Sequence, residues 1–200
     1  MGPEIWDDVQ GQLPSYRHQS VDLGFRGVPI TPVVQMPVVI THSLGLMWAL
    51  HNIPRPWASL VAINGFTRFT TTLGFPGVAQ DVLARMTSRL SENPHDMVGA
   101  FLQRCGIESP LLSGLDVAML LNGLESLSEW DTRPQFKLLD CPILAISGAS
   151  DPIVSVRHSC ACFPASMHII VEGGGHLLPL THASLIASHV AETCTKLWKI

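Results

Sequence analysis

The sequence predicts an α/β fold built on a mostly parallel sheet, on three observations. Short β-branched apolar runs bounded by Pro or Gly alternate with helical patterns. Apolar residues make up 46% of the 200, enough to offset the ordering entropy of a folded chain. Finally, a serine, an aspartate and a histidine each follow one of the predicted strands.

The elements follow in order. Residues 38–41, 60–64 and 143–147 read as strands covered on both faces, because each is a short, continuous apolar run. Residues 167–172 read as a fourth strand, interrupted by histidine but β-branched, which ends at Gly173, Gly174 and Gly175. Helical patterns occupy 44–52, directly after the first strand, and 183–197 at the carboxyl end. The stretch 78–127 differs: it carries helical patterns at 78–90, 94–104 and 114–124 and no strand, so it reads as a helical insertion within a single domain spanning 1–200. There is no internal repeat and no linker that separates domains.

The chemistry rests on three segments. In VVITHSLGL a β-branched strand meets Thr41-His42-Ser43-Leu44-Gly45 and continues into a helix, the context in which a sharp turn lifts a serine hydroxyl above the sheet edge. Glycine two positions after the serine is expected to let the turn close without a Cβ clash. Thr41 stands where glycine is usual in G-x-S-x-G, at an expected steric cost. In CPILAISGASDPIV, Asp151 sits in a turn beyond a strand, placed to orient a histidine. In VEGGGHLLPLTHA the glycines bring His176 back over the sheet, where an imidazole with a pKa near 6.5 serves as base and then acid. The other histidines, His42 and His182 among them, read as surface or core residues. Each segment has a blander reading: a helix-capping serine, a turn aspartate, a glycine-rich turn. Their order, Ser then Asp then His at successive strand ends, is the chain order of an α/β-hydrolase triad.

With THSLGLMWALH, LVAINGFTRF, CPILAISGASDPIV and EGGGHLLPLTH, the chain resembles α/β-hydrolase carboxylesterases of the pimeloyl-carrier-protein methyl ester esterase type, which act in biotin synthesis. The resemblance implies Ser43 as nucleophile, His176 as general base and acid, Asp151 as the residue that orients His176, and the Leu44 N–H as one oxyanion donor. It implies no metal and no organic cofactor. It also implies a strand ending in His-Gly ahead of a stretch like MGPEIWDDV, whose end supplies a second oxyanion donor. That strand is expected to be missing here, with the Met1 or Gly2 backbone or a neighbouring segment in its place. Residues 21–27 are expected to keep the family's following strand and turn. The insertion 78–127 would be a lid. Its apolar residues Leu83, Met86, Leu90, Phe101, Leu115 and Met119 line an acyl pocket on one reading and pack on the core on another. Arg85 and Arg89, at i and i+4, face either an acyl carrier protein and its phosphopantetheine phosphate or only solvent.

Composition narrows the alternatives. Charged residues are 14% of the chain, the formal charge is −4, and only 12 residues are Lys or Arg, so no basic stripe exists for a nucleic acid backbone. Mean hydropathy is +0.29, yet no window of about 18 uninterrupted apolar residues suggests a membrane span. The amino end lacks the pattern of an export signal, so a cytoplasmic protein is expected. The five cysteines then read as reduced thiols, with Cys160 and Cys162 on opposite sides of one element. No ligand spacing suggests a metal, and Gly173, Gly174 and Gly175 are not a phosphate loop, because no G-K-[ST] follows. A thioesterase with the same triad, or a hydrolase-fold protein that binds without catalysis, remains the alternative to an esterase. The protein is expected to be a monomer or a homodimer, with a modest exposed apolar patch where the missing strands would lie as the feature that drives dimerisation.

Overall fold

The computed structural model describes residues 2–108 and 112–197. The chain enters through a 3-10 turn, Pro3–Trp6, and a short helix α1 (Asp7–Gly11). Strand β1 (Val38–His42) leads into α2 (Gly45–Asn52), followed by β2 (Ser59–Ile63). Four helices come next: α3 (Gln80–Glu92), α4 (Pro94–Arg104), α5 (Val117–Glu129) and α6 (Arg133–Lys137). The chain closes with β3 (Ile143–Gly148), α7 (Val156–Cys162), β4 (His168–Val171), α8 (Leu178–Thr181) and α9 (Ala183–Leu197).

Among the described residues the strands form one four-stranded sheet in the order β1-β2-β3-β4, every neighbouring pair parallel. All carboxyl ends therefore lie on one edge. Pairing Ile40 with Val61, Val61 with Leu144 and Ile146 with Ile169 sets the register. Side chains alternate across the sheet. Leu60, Ala62 and Ala145 join the core under α2 and the helical insertion, while Val61, Ile63 and Ile146 join the core under α1, α8 and α9. Every residue of β2 is buried, which is why it reads as an unbroken apolar run and not as an alternating one.

Local chemistry sets the helix starts of the insertion. Asn93 caps α4, its side chain accepting from the Asp96 N–H, with Pro94 in the first turn. Asp116 caps α5 by accepting from the Met119 N–H at 3.0 Å. Cys160 is exposed and Cys162 buried on α7, on opposite sides as their spacing suggests.

The expected strand at 21–27 is absent. Asp22 makes a single antiparallel bridge to Ile30, and its Oδ1 accepts from the Gly24 N–H at 2.8 Å, so the segment curls on itself instead of extending along the sheet. Val28, Ile30, Val33 and Met36 are exposed in the loop that follows, an apolar stretch leading into the edge strand β1.

Candidate active site

β1 delivers the chain to Ser43, which adopts a φ of 54°, a left-handed conformation that non-glycine residues rarely take. The Ser43 N–H donates to the Ile63 carbonyl at 3.1 Å, tying this turn to the end of β2. Gly45 plays a different part from the expected one: a Cβ there would meet nothing within 4 Å, so the turn closes through the backbone of Ser43 itself. Thr41 is 5% exposed, and its Oγ1 has no hydrogen-bond partner among the described residues.

Asp151 is carried by the turn after β3, and His176 by the turn after β4. The two turns interlock at glycines. A Cβ on Gly148 would overlap the carbonyl oxygens of Gly174 and Gly175, Gly173 takes a φ of 71°, and the Ser150 N–H donates to the Gly174 carbonyl at 2.8 Å. Only a residue without a side chain allows this approach.

The structure brings the three expected residues together. His176 Nδ1 donates to Asp151 Oδ2 at 2.8 Å, and His176 Nε2 lies 3.1 Å from Ser43 Oγ. With its proton held on Nδ1, the ring presents a lone pair on Nε2 to the serine hydroxyl. Asp151 also accepts at Oδ1 from the backbone N–H groups of Ile153 (2.7 Å) and Val154 (2.9 Å). Burial alone disfavours its charged form, yet the hydrogen bond and charge of His176, with these two N–H groups, outweigh that and hold the carboxyl below its ordinary range.

Two residues of this site were not expected from sequence. Asn64, fully buried at the end of β2, donates through Nδ2 to Asp151 Oδ2 at 2.5 Å and to the Gly175 carbonyl at 3.2 Å. His42, expected to lie away from the chemistry, packs its ring on that of His176 with centroids 4.9 Å apart. Its Nε2 is 2.7 Å from the His176 carbonyl oxygen. Burial, followed by the charge of His176, pushes the His42 imidazole down to about 3. His42 is thus neutral at ordinary pH and donates from Nε2. Its place directly before Ser43 was the available clue.

Leu44 leads into α2 with helical backbone angles, and its N–H makes no hydrogen bond among the described residues, as an oxyanion donor requires. Met1 lies outside the described residues. The Gly2 N–H is taken by Glu4 Oε1 at 3.1 Å.

The insertion residues divide by face. Leu83 and Leu90 are buried, and Met86 and Leu115 pack partly buried against the same core. Phe101 also reaches the small cluster of Ile5, Cys105 and Leu177, next to His176 in sequence. Met119 is half-buried on α5. Arg85 and Arg89 are exposed, and Arg85 Nη1 pairs with Asp81 Oδ2 at 2.5 Å, one turn away on the same helix. Exposure is common to both readings of this face. Arg104 donates from Nη2 to the Pro152 carbonyl at 3.1 Å, linking α4 to the residue after Asp151. Gly123 of α5 abuts Phe25: a Cβ there would lie 3.1 Å from the ring and 3.8 Å from Leu44 Cδ2.

The chain matches no protein-family model. It is 25% identical to a pimeloyl-[acyl-carrier protein] methyl ester esterase of Legionella pneumophila over 94% of this chain and 89% of that protein. It is 26% identical to one of Edwardsiella ictaluri over 96% and 88%. Among solved structures, a bromoperoxidase from Bacillus anthracis superposes with a TM-score of 0.80 at 15% identity, covering 98% of this chain and 88% of that one. An esterase from Exiguobacterium antarcticum gives 0.77 at 14% identity, covering 96% and 87%. These structural likenesses show the fold, that of the α/β hydrolases.

Proposed function

We propose, from the premise of an α/β-hydrolase fold, that this chain is a serine carboxylesterase that cleaves an acyl methyl ester of the pimeloyl-carrier-protein kind through an acyl-Ser43 intermediate. The observation that carries the reading is the continuous chain of contacts from Ser43 Oγ through His176 to Asp151 Oδ2, at 3.1 and 2.8 Å. The curated relatives named above supply the substrate class.

In the reaction so derived, Ser43 Oγ attacks the ester carbonyl as its proton passes to His176 Nε2. The resulting imidazolium keeps its Nδ1–H on Asp151, whose charge stabilises it. The carbonyl oxygen becomes an oxyanion within reach of the Leu44 N–H. Collapse breaks the bond to the alkoxy group, which leaves as methanol with the proton from Nε2. Water then gives a proton to Nε2 and attacks the acyl-Ser43 carbonyl, and release of the acid returns the proton to Ser43 Oγ. The helices of the insertion act as a lid over the acyl chain, with Met86, Phe101 and Met119 as its apolar lining.

Burst kinetics with p-nitrophenyl esters of increasing acyl length, on the wild type and Ser43→Ala, test this. A burst of one equivalent that the variant lacks supports the acyl-enzyme. Comparison of a carrier-protein methyl ester with the corresponding acyl thioester separates an esterase from a thioesterase.

A further inference from the structure

The parallel sheet sets four residues in a row along its carboxyl edge: Ser43 after β1, Asn64 after β2, Asp151 after β3 and His176 after β4. Three of these are the proposed triad. We infer that the remaining one, Asn64, is a positioning residue that fixes Asp151 and the backbone before His176 in a single clamp, an inference that rests on the triad reading.

Its geometry supports this assignment. Asn64 is 0% exposed and takes a φ of 46°, a left-handed conformation that asparagine adopts more readily than most residues with a side chain. Its backbone N–H donates to the Ile146 carbonyl of β3 at 2.8 Å. Both contacts of Nδ2, Asp151 Oδ2 and the Gly175 carbonyl, are acceptors, so the amide group can be oriented only one way. Oδ1 is buried with no partner among the described residues. Both amide donors are committed to acceptors of the site.

The consequence concerns Oδ2 of Asp151. That oxygen accepts from both His176 Nδ1 and Asn64 Nδ2, while Oδ1 accepts from the Ile153 and Val154 N–H groups, so the carboxylate is held at both oxygens. The Gly175 carbonyl, held by the same amide, fixes the peptide from which His176 departs. Ile63, one residue earlier, holds the Ser43 N–H. The end of β2 therefore contacts Ser43, Asp151 and the residue before His176, although it supplies no member of the triad.

The test measures kcat, KM and the pH profile of kcat/KM for wild type, Asn64→Ala and Asn64→Asp on a p-nitrophenyl ester, with folding followed by circular dichroism. Asn64→Ala should lower kcat by about 100-fold, the scale for a displacement of reacting groups of roughly 1 Å, with KM little changed. Asn64→Asp sets a second carboxyl against Asp151 Oδ2, where the two cannot both ionise at low cost and share a proton, so the acid limb of the profile should no longer superimpose on that of the wild type. A merely structural role would not move that limb. Folded variants with wild-type kcat and a superimposable profile would overturn the inference. Should either variant fail to fold, nitrogen-edited NMR of the wild type decides. The Asn64 Nδ2 protons are expected to exchange slowly and to shift on Asp151→Asn, and fast-exchanging protons that ignore Asp151 overturn the clamp. A fluorophosphonate probe that fails to label the wild type would instead sink the triad reading itself, and labelling with unaffected Asn64 variants sinks only the clamp.

Discussion

His42 Nε2 donates to the backbone carbonyl of His176, 2.7 Å away, so the residue before Ser43 holds the peptide of the histidine that faces the Ser43 hydroxyl. The rings touch as well, at 4.9 Å between centroids. Two imidazoles this close cannot both carry a proton at low cost, and burial together with His176 keeps His42 neutral.

Acid stability follows from that arrangement. The His42 pKa is about 3 when folded and near 6.5 when unfolded, so between these values the unfolded chain binds the extra proton. Stability therefore falls as pH drops from about 6.5 towards 3, by at most about 1.4 kcal/mol per pH unit for this group. His158 and His168, both shifted down chiefly by burial, add to the slope. Urea unfolding at a series of pH values should show a shallower acid decline in His42→Phe than in the wild type; equal slopes would contradict this account.

Much of this fold was legible in the sequence, because a strand buried on both faces leaves a continuous apolar run. Residues 60–64 were expected and Ser59–Ile63 form β2; 183–197 was expected and Ala183–Leu197 form α9. The expected start of the fourth strand, at 167, was one residue early, since Met167 closes a 3-10 turn. Segment 21–27 was expected to keep a strand and a turn on resemblance alone; the turn is present and the strand is not, because the Asp22 side chain bonds to the Gly24 N–H. Asn64 and His42 escaped notice for another reason. Their partners lie 87 and 134 residues away, and only the parallel order of the sheet brings such positions together.

Gly148→Ala should be severe for a change of one methyl group. The new Cβ would overlap the carbonyl oxygens of Gly174 and Gly175, and relief requires moving the turn that carries His176. Overpacking of this kind costs about 1–3 kcal/mol. Thermal unfolding should show the loss, and esterase activity should fall further than a matched alanine substitution at Gly175, where a Cβ would meet nothing within 4 Å.

At α5 the expected change is in selectivity. Gly123→Val would press on the Phe25 ring and, behind it, Leu44. The ratio of kcat/KM for long over short p-nitrophenyl esters should shift while the burst amplitude stays at one equivalent. An unaltered chain-length profile would place the acyl chain elsewhere.

Arg85 and Arg89 provide the contrasting case. Both are exposed, and Arg85 is paired within its own helix to Asp81. Exposed pairs of this kind contribute little. Arg85→Ala and Arg89→Ala should keep the wild-type melting temperature and the wild-type rate on p-nitrophenyl esters; a loss on these small substrates would put the helix face inside the site.

Intact-mass analysis after treatment with a fluorophosphonate tests the proposal that Ser43 is a nucleophile activated by His176. Wild type should gain one adduct, mapped by peptide sequencing to Ser43, with Ser43→Ala unlabelled and His176→Ala labelled far more slowly. An adduct on another residue, or equal labelling of wild type and Ser43→Ala, would contradict the account.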